Sequence, residues 1–136
     1  HRLPKVNHPV YYGGPVLTNV VGVLHSTDYV LHSTNTLTQD KVGFTLDRQM
    51  LEAIAKGQGP KNKLITLGMA NWTTGQLEEE LEHPRNPAMS WLIMDYDEKF
   101  VFGQLDDDKS DDLWDRCVSQ AIRRKTREIT SKVFKD

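Results

Sequence analysis

The run from Lys63 to Leu81 constrains this chain more than any other stretch, because it holds a strand, a sharp connection and a helix start in unbroken succession. Leu64 to Met69 is a short apolar strand, and Gly68 within it predicts a bend or a close backbone approach. Thr73 stands three residues before Gln76, the spacing of a reciprocal helix cap, and Leu77 and Leu81 then fall four apart on one helix face. The run specifies structure without specifying a reaction.

A chain of 136 residues suits a single domain, 1–136, large enough to bury a core. Hydrophobic residues at 38% and charged residues at 26% place it among soluble globular proteins and exclude a disordered class. No apolar run approaches the roughly 20 residues of a membrane-spanning helix, so no membrane insertion is expected. One cysteine, Cys117, excludes a disulfide framework and favours a reducing compartment, the cytoplasm or alternatively an organelle interior. Asn71-Trp72-Thr73 matches a glycosylation acceptor and reads as a chance match. The chain begins at His1 with no charged-then-apolar leader, which reads as a processed, engineered or incomplete N-terminus.

The net charge of -2 hides a strong polarity. Asp95 to Asp112 carries eight carboxylates against Lys99 and Lys109, whereas from Leu113 onward seven cations oppose three acids. Such halves either steer a partner or neutralise each other where they meet.

In order along the chain, Val10-Tyr11-Tyr12 is a strand that Gly13-Gly14-Pro15 must break, and Val20 to His25 is a strand buried on both faces. Val23-Leu24-His25-Ser26-Thr27 recurs as Val30-Leu31-His32-Ser33-Thr34, with Asp28 marking a break between the copies. Thr45 or Asp47 caps a helix with apolar positions Leu46, Met50, Leu51 and Ile54, which Gly57 stops ahead of a turn to Pro60. His83-Pro84 with Pro87 ends the next helix. Trp91 to Met94 is a buried-strand candidate and Lys99 to Phe102 a shorter one. An acidic surface loop from Leu105 leads to a helix start at Ser110, with Leu113, Trp114, Cys117, Val118, Ala121 and Ile122 on one face and Ile129 and Val133 extending it.

The common signatures of nucleotide and hydrolytic chemistry are absent. His25 with Ser26, or Cys117 as a thiol, forms the hydrolase alternative; neighbours in a strand point to opposite faces, which weakens the first pair. The five histidines and Asp95-x-Asp97-Glu98 lack metal-ligand spacing, so neither metal nor cofactor is expected. Trp72, Trp91 and Trp114 read as core, and Cys117 as a small buried hydrophobe. The basic cluster Arg123, Arg124, Lys125 and Arg127 is the candidate contact for phosphate, in a nucleic acid, or for an acidic protein.

Tyr12-Gly13-Gly14-Pro15-Val16, Val23-Leu24-His25-Ser26, Leu51 to Pro60 and above all Leu67-Gly68-Met69-Ala70-Asn71-Trp72-Thr73-Thr74-Gly75-Gln76-Leu77 together resemble the YqgE/AlgH family. The resemblance covers about Val10 to Trp114, and residues 115–136 diverge into a basic helix. Family members carry a further N-terminal segment with two strands and a helix that has no counterpart here, a part that is absent, cleaved or supplied by another chain. The resemblance implies an α+β fold with a bifurcated sheet forming a pseudo-barrel flanked by helices. It implies no enzymatic reaction and a regulatory label. The expectation is therefore a non-catalytic binding protein with a protein partner, with a structural subunit of a larger, organellar assembly as the alternative. Gly13, Gly14, His25, Asn71, Trp72 and Gln76 are its candidate binding residues: the glycines admit close approach, and Gln76 both donates and accepts.

Overall fold

The computed structural model describes residues 4–86, 90–103 and 110–133. The fold is mixed α+β, and the chain divides into two compact units, residues 1–71 and 72–136.

The first unit is built on a five-stranded mixed sheet: β1 (Val10–Tyr12), β2 (Val16–Ser26), β3 (Asn35–Leu37), β4 (Val42–Thr45) and β5 (Lys63–Met69), in the order β1-β5-β2-β4-β3. β1 runs parallel to β5, and every other pairing is antiparallel. The expected strands at Val10 and Leu64 are present. The one expected from Val20 begins earlier, and from Val20 onward its residues are buried or half-buried while its first four are exposed. Between the pairs Val16 with Met69 and Val21 with Leu67 the register shifts, and Leu17 takes a left-handed φ of 50° inside the irregularity.

Gly68, at φ 79°, provides the close approach predicted for it. A Cβ added at Gly13 would strike the Gly68 carbonyl oxygen, and one at Gly14 the Met69–Ala70 backbone. Only residues without side chains let these two segments cross, and the Gly13 N–H donates to the Leu67 carbonyl at 2.8 Å.

α1 (Arg48–Ala55) starts where Asp47 accepts a hydrogen bond from the Gln49 N–H at 2.9 Å, and it ends ahead of Gly57 at φ 73°. Of the two cap candidates Asp47 serves; Thr45 closes β4 instead. Leu46 precedes the helix and is exposed, so the apolar face is Met50, Leu51 and Ile54. These pack with Val23 and Ile65, cross-strand neighbours on β2 and β5, to form the core, with Val6, Val21, Tyr29 and Leu31 at its edge. Fully burying such side chains stabilises by about 1.5–3 kcal/mol each.

The hairpin of β3 and β4 was not expected. Its turn contains no glycine, and Thr38, Gln39 and Asp40 are all left-handed at φ 54°, 55° and 64°. Asp40 helps to hold it: its carboxylate accepts from the Thr36 hydroxyl at 2.6 Å and its carbonyl from the Thr27 hydroxyl at 2.9 Å. The second pentapeptide copy lies in the loop before β3, whereas the first lies on β2 through Ser26 and the chain turns at Thr27 and Asp28.

The second unit is helical: α2 (Gln76–Glu82), α3 (Glu98–Phe102) and α4 (Ser110–Val133). The expected strand at Lys99 to Phe102 is α3, because the Asp97 carboxylate caps it through the Lys99 N–H at 2.8 Å. Trp91 to Met94 is not a strand either. No described strand pairs with it, and Trp91, Leu92 and Ile93 are exposed, since an apolar run becomes a strand only when a neighbour completes its ladder. Ser110 does begin a helix, which runs on to Val133. The acidic loop of residues 105–109 and Pro87 lie outside the described residues.

Candidate functional site

The candidate binding residues separate into two groups. Gly14 and His25 are buried in the sheet unit, and Gly13 is exposed on it; the backbone that approaches the two glycines is the chain's own. His25 is completely buried, and both ring nitrogens are occupied. Nδ1 donates to the Ser26 carbonyl at 2.8 Å, so Nε2 accepts from the Thr45 hydroxyl at 2.8 Å, and Thr45 in turn accepts from the Thr34 hydroxyl at 2.7 Å. A Cβ at Gly43 would stand 2.6 Å from His25 Cε1, so the ring fills the space that glycine leaves.

This geometry corrects the His25–Ser26 hydrolase alternative. Ser26 turns its hydroxyl to the Asp28 carboxylate, away from the imidazole, and accepts from the Asn62 N–H at 3.0 Å. Alternation along β2 sends the two side chains to opposite faces, and the base has no free nitrogen. The Ser26 hydroxyl, followed by the Lys61 N–H at 3.0 Å, holds the Asp28 carboxyl below the usual carboxylate range. Cys117 is a free, half-buried thiol on α4. Among the described residues no group of three His, Cys, Asp or Glu side chains is placed to hold a metal ion.

The second group lies at the start of the helical unit. α2 begins at Gly75, left-handed at φ 82°, so Thr73 is not its cap. The Gln76 side-chain oxygen instead accepts from the Thr73 N–H at 3.0 Å and from its hydroxyl at 3.3 Å, which anchors the segment before the helix. Glu78 and Glu79 in the first turn complement the helix dipole. One turn on from Gln76, Glu80 is the hub. Its Oε2 accepts from the Trp91 indole N–H at 3.0 Å and from that of Trp72 at 3.4 Å, and the rings meet edge to face at 5.7 Å and 72°.

Trp72 and Trp91 are therefore not core residues. They are 37% and 51% exposed, each with its N–H on a surface carboxylate rather than on a buried partner, and Trp114 is 70% exposed. Beside the pair opens a groove of about 550 Å³, lined by Gln76, Glu79, Glu80, His83, Arg85, Asn86 and Trp91 among others. Glu80 and His83 were not among the candidate site residues, His83 being read only as part of the helix stop, although they stand four and seven residues after Gln76, the spacing of one helix face. Asn71 is exposed at the end of the sheet unit.

The basic cluster is partly self-neutralised. Asp95 pairs with Arg124 at 3.2 Å and with Arg127 at 2.7 Å, and Arg124 also reaches Glu128 at 3.4 Å, while Arg123 and Lys125 are exposed. Arg116 stacks over the Phe100 ring at 4.8 Å. Burial, with Glu98 and Asp97 beside it, pushes the Tyr96 phenol up. No described helix is long and apolar enough to cross a membrane.

Comparison with known proteins agrees with this architecture. The solution structure of the AlgH protein from Pseudomonas aeruginosa superposes with a TM-score of 0.50 at 34% identity, covering 72% of this chain and 53% of that one. A UPF0301 protein of Bradyrhizobium sp. is 43% identical over 102 residues, covering 75% of this chain and 45% of its own length. Another, from Rickettsia akari, is 42% identical over 103 residues, covering 74% and 50%. The chain thus spans about half the length of the curated relatives it matches. A family profile described as AlgH-like matches residues 1–124, from the lead-in through both units and into α4, and so this chain belongs to the AlgH-like (DUF179) family.

Proposed function

We propose that this chain is a non-catalytic binding protein with a regulatory role, its two units acting as one domain, and that a protein partner docks on the helical unit at the tryptophan pair. The observation that carries this reading is Trp72 and Trp91 held edge to face by one carboxylate while both remain exposed beside a groove. Tryptophan is among the residues enriched in those that dominate protein interfaces. The groove offers acceptors on Glu79 and Glu80 and a cation on Arg85, which suits a polypeptide of mixed polarity. Asp95 already occupies two of the four clustered cations, which favours protein over nucleic acid as the partner. Gln76 lines the same groove and is the second candidate residue in contact with the partner.

The test begins with the native protein, isolated with its partners and mapped by chemical cross-linking. Trp91→Ala is expected to weaken the complex at least tenfold, and Glu80→Gln, which loosens the pair without removing it, to have a smaller effect. A complex that tolerates Trp91→Ala unchanged overturns the reading.

One observation favours a second reading, a structural subunit of a larger assembly: Trp91, Leu92 and Ile93 expose three large apolar side chains in succession. A complex of fixed stoichiometry that survives high salt supports the subunit; a partner that exchanges freely supports the regulator.

A further inference from the structure

α4 presents a second surface, separate from the tryptophan groove. At 100° per residue, Trp114, Val118, Ile122, Lys125, Ile129 and Lys132 fall within about 80° of arc, in steps of four, four, three, four and three. Trp114, Ile122 and Ile129 on this stripe are 70%, 58% and 56% exposed. Arg124 and Arg127, which hold Asp95, lie on the other side of the helix, so the internal ion pairs leave the stripe uncovered.

We propose that this stripe pairs with the same stripe of a second copy, the two α4 helices running antiparallel about a two-fold axis near Ala121 and Ile122. The charge along the helix selects both occupant and direction. The first half of α4 carries Asp111, Asp112 and Asp115 against Arg116, and the second half carries Arg123, Arg124, Lys125, Arg127 and Lys132 against Glu128. A parallel pair sets like ends together, whereas an antiparallel pair sets each acidic end beside a basic one. In the symmetric register Trp114 comes level with Ile129, and Val118 with the aliphatic stem of Lys125. Exposed apolar side chains spread along the stripe, Trp114, Ile122 and Ile129, favour a protein surface over nucleic acid, whose phosphates call for cations there.

The experiment uses the whole chain in a Cys117→Ser background. Light scattering is expected to give the mass of two chains, and Ile122→Glu to halve it with the circular dichroism unchanged. A short thiol-reactive cross-linker is expected to join Ile122→Cys to itself, to leave Ile129→Cys alone uncoupled, and to join Ile129→Cys to Trp114→Cys. A monomeric mass overturns the proposal. So does self-coupling of Ile129→Cys as fast as that of Ile122→Cys, which would mean a parallel pair. Trp91→Ala lies off the stripe and is expected to leave the dimer intact, so this proposal and the groove reading fail separately.

Discussion

The sheet unit and the helical unit solve the same problem in opposite ways. In the sheet unit polar atoms are closed inside the fold: His25 is completely buried and served at both nitrogens, and Thr45 is completely buried between His25 and Thr34. In the helical unit Phe102 is buried but the three tryptophans stay outside, and surface carboxylates organise exposed groups: Glu80 holds two indoles and Asp95 two guanidinium groups. The first arrangement makes stability depend on a few interior atoms. The second leaves surface available to partners, which is why the binding proposals fall on the helical unit.

The sharpest way to break this contrast is Met50→Ala. Met50 is fully buried among Val23, Leu51, Ile54 and Ile65, so its truncation removes transfer energy and leaves a cavity, at a cost of about 3 kcal/mol. Urea unfolding followed by far-ultraviolet circular dichroism reads the loss. A change below about 1 kcal/mol would mean that the sheet unit has no tightly packed core.

Next in size is Thr45→Val, which keeps the shape and removes the hydroxyl. His25 Nε2 is then buried without a donor, a loss of about 1–3 kcal/mol. Replacing His25 by Leu in the same chain removes the stranded acceptor, so the double variant is expected to lose less than the sum of the single ones. Strict additivity would show that the imidazole and the hydroxyl do not act as a pair.

Much of the sheet unit was legible in the sequence because its signals are local. Asp47, Met50, Leu51, Ile54 and Gly57 carry their own start, face and stop, and Gly68 announces a backbone crossing. The β3–β4 hairpin was not legible, because its left-handed turn is built from Thr38, Gln39 and Asp40 and is held by hydrogen bonds rather than by glycine. The repeated pentapeptide teaches the same point: one copy lies on β2 and its twin in a loop, since pairing with β4 and β5 decides what five residues alone do not. In the helical unit, apolar character was mistaken for burial. Trp72, Trp91 and Trp114 have the composition of a core, but hydrophobicity states that a side chain benefits from a neighbour, not that this chain supplies one. Of the candidate site residues, Gln76 lies on α2 and Trp72 is tied to the same helix through Glu80, whereas Gly13 and Gly14 are crowded by backbone and His25 is buried.

Asp28 tests the border of the sheet unit through pH. Its carboxyl is held below the ordinary value of 3.8 by the Ser26 hydroxyl and the Lys61 N–H, both of which favour the charged form. The stability this contributes is present above the unfolded value and is lost as pH falls through the lower folded one. Asp28→Asn is therefore expected to cost a fraction of a kcal/mol at neutral pH, because the group is exposed, and the gap to the unsubstituted chain should close below about pH 4. A gap that stays constant from pH 7 to pH 3 would assign the loss to hydrogen-bond geometry rather than to charge.

The smallest effect on stability is expected where the contact looks strongest, at Asp95. Its two ion pairs, at 3.2 and 2.7 Å, join an exposed carboxylate to Arg124 and Arg127, and side chains exposed to water regain in hydration much of what they lose in attraction. Asp95→Asn should therefore shift stability by no more than about 0.5 kcal/mol and leave the helical circular dichroism unchanged. What changes is the field. Without that carboxylate the cluster of Arg123, Arg124, Lys125 and Arg127 has lost one of its two nearby counter-charges, and the protein should elute later from a cation-exchange column. A loss of more than about 1 kcal/mol would instead mean that the helical unit, like the sheet unit, is held together by particular polar contacts, and the contrast between the two would disappear.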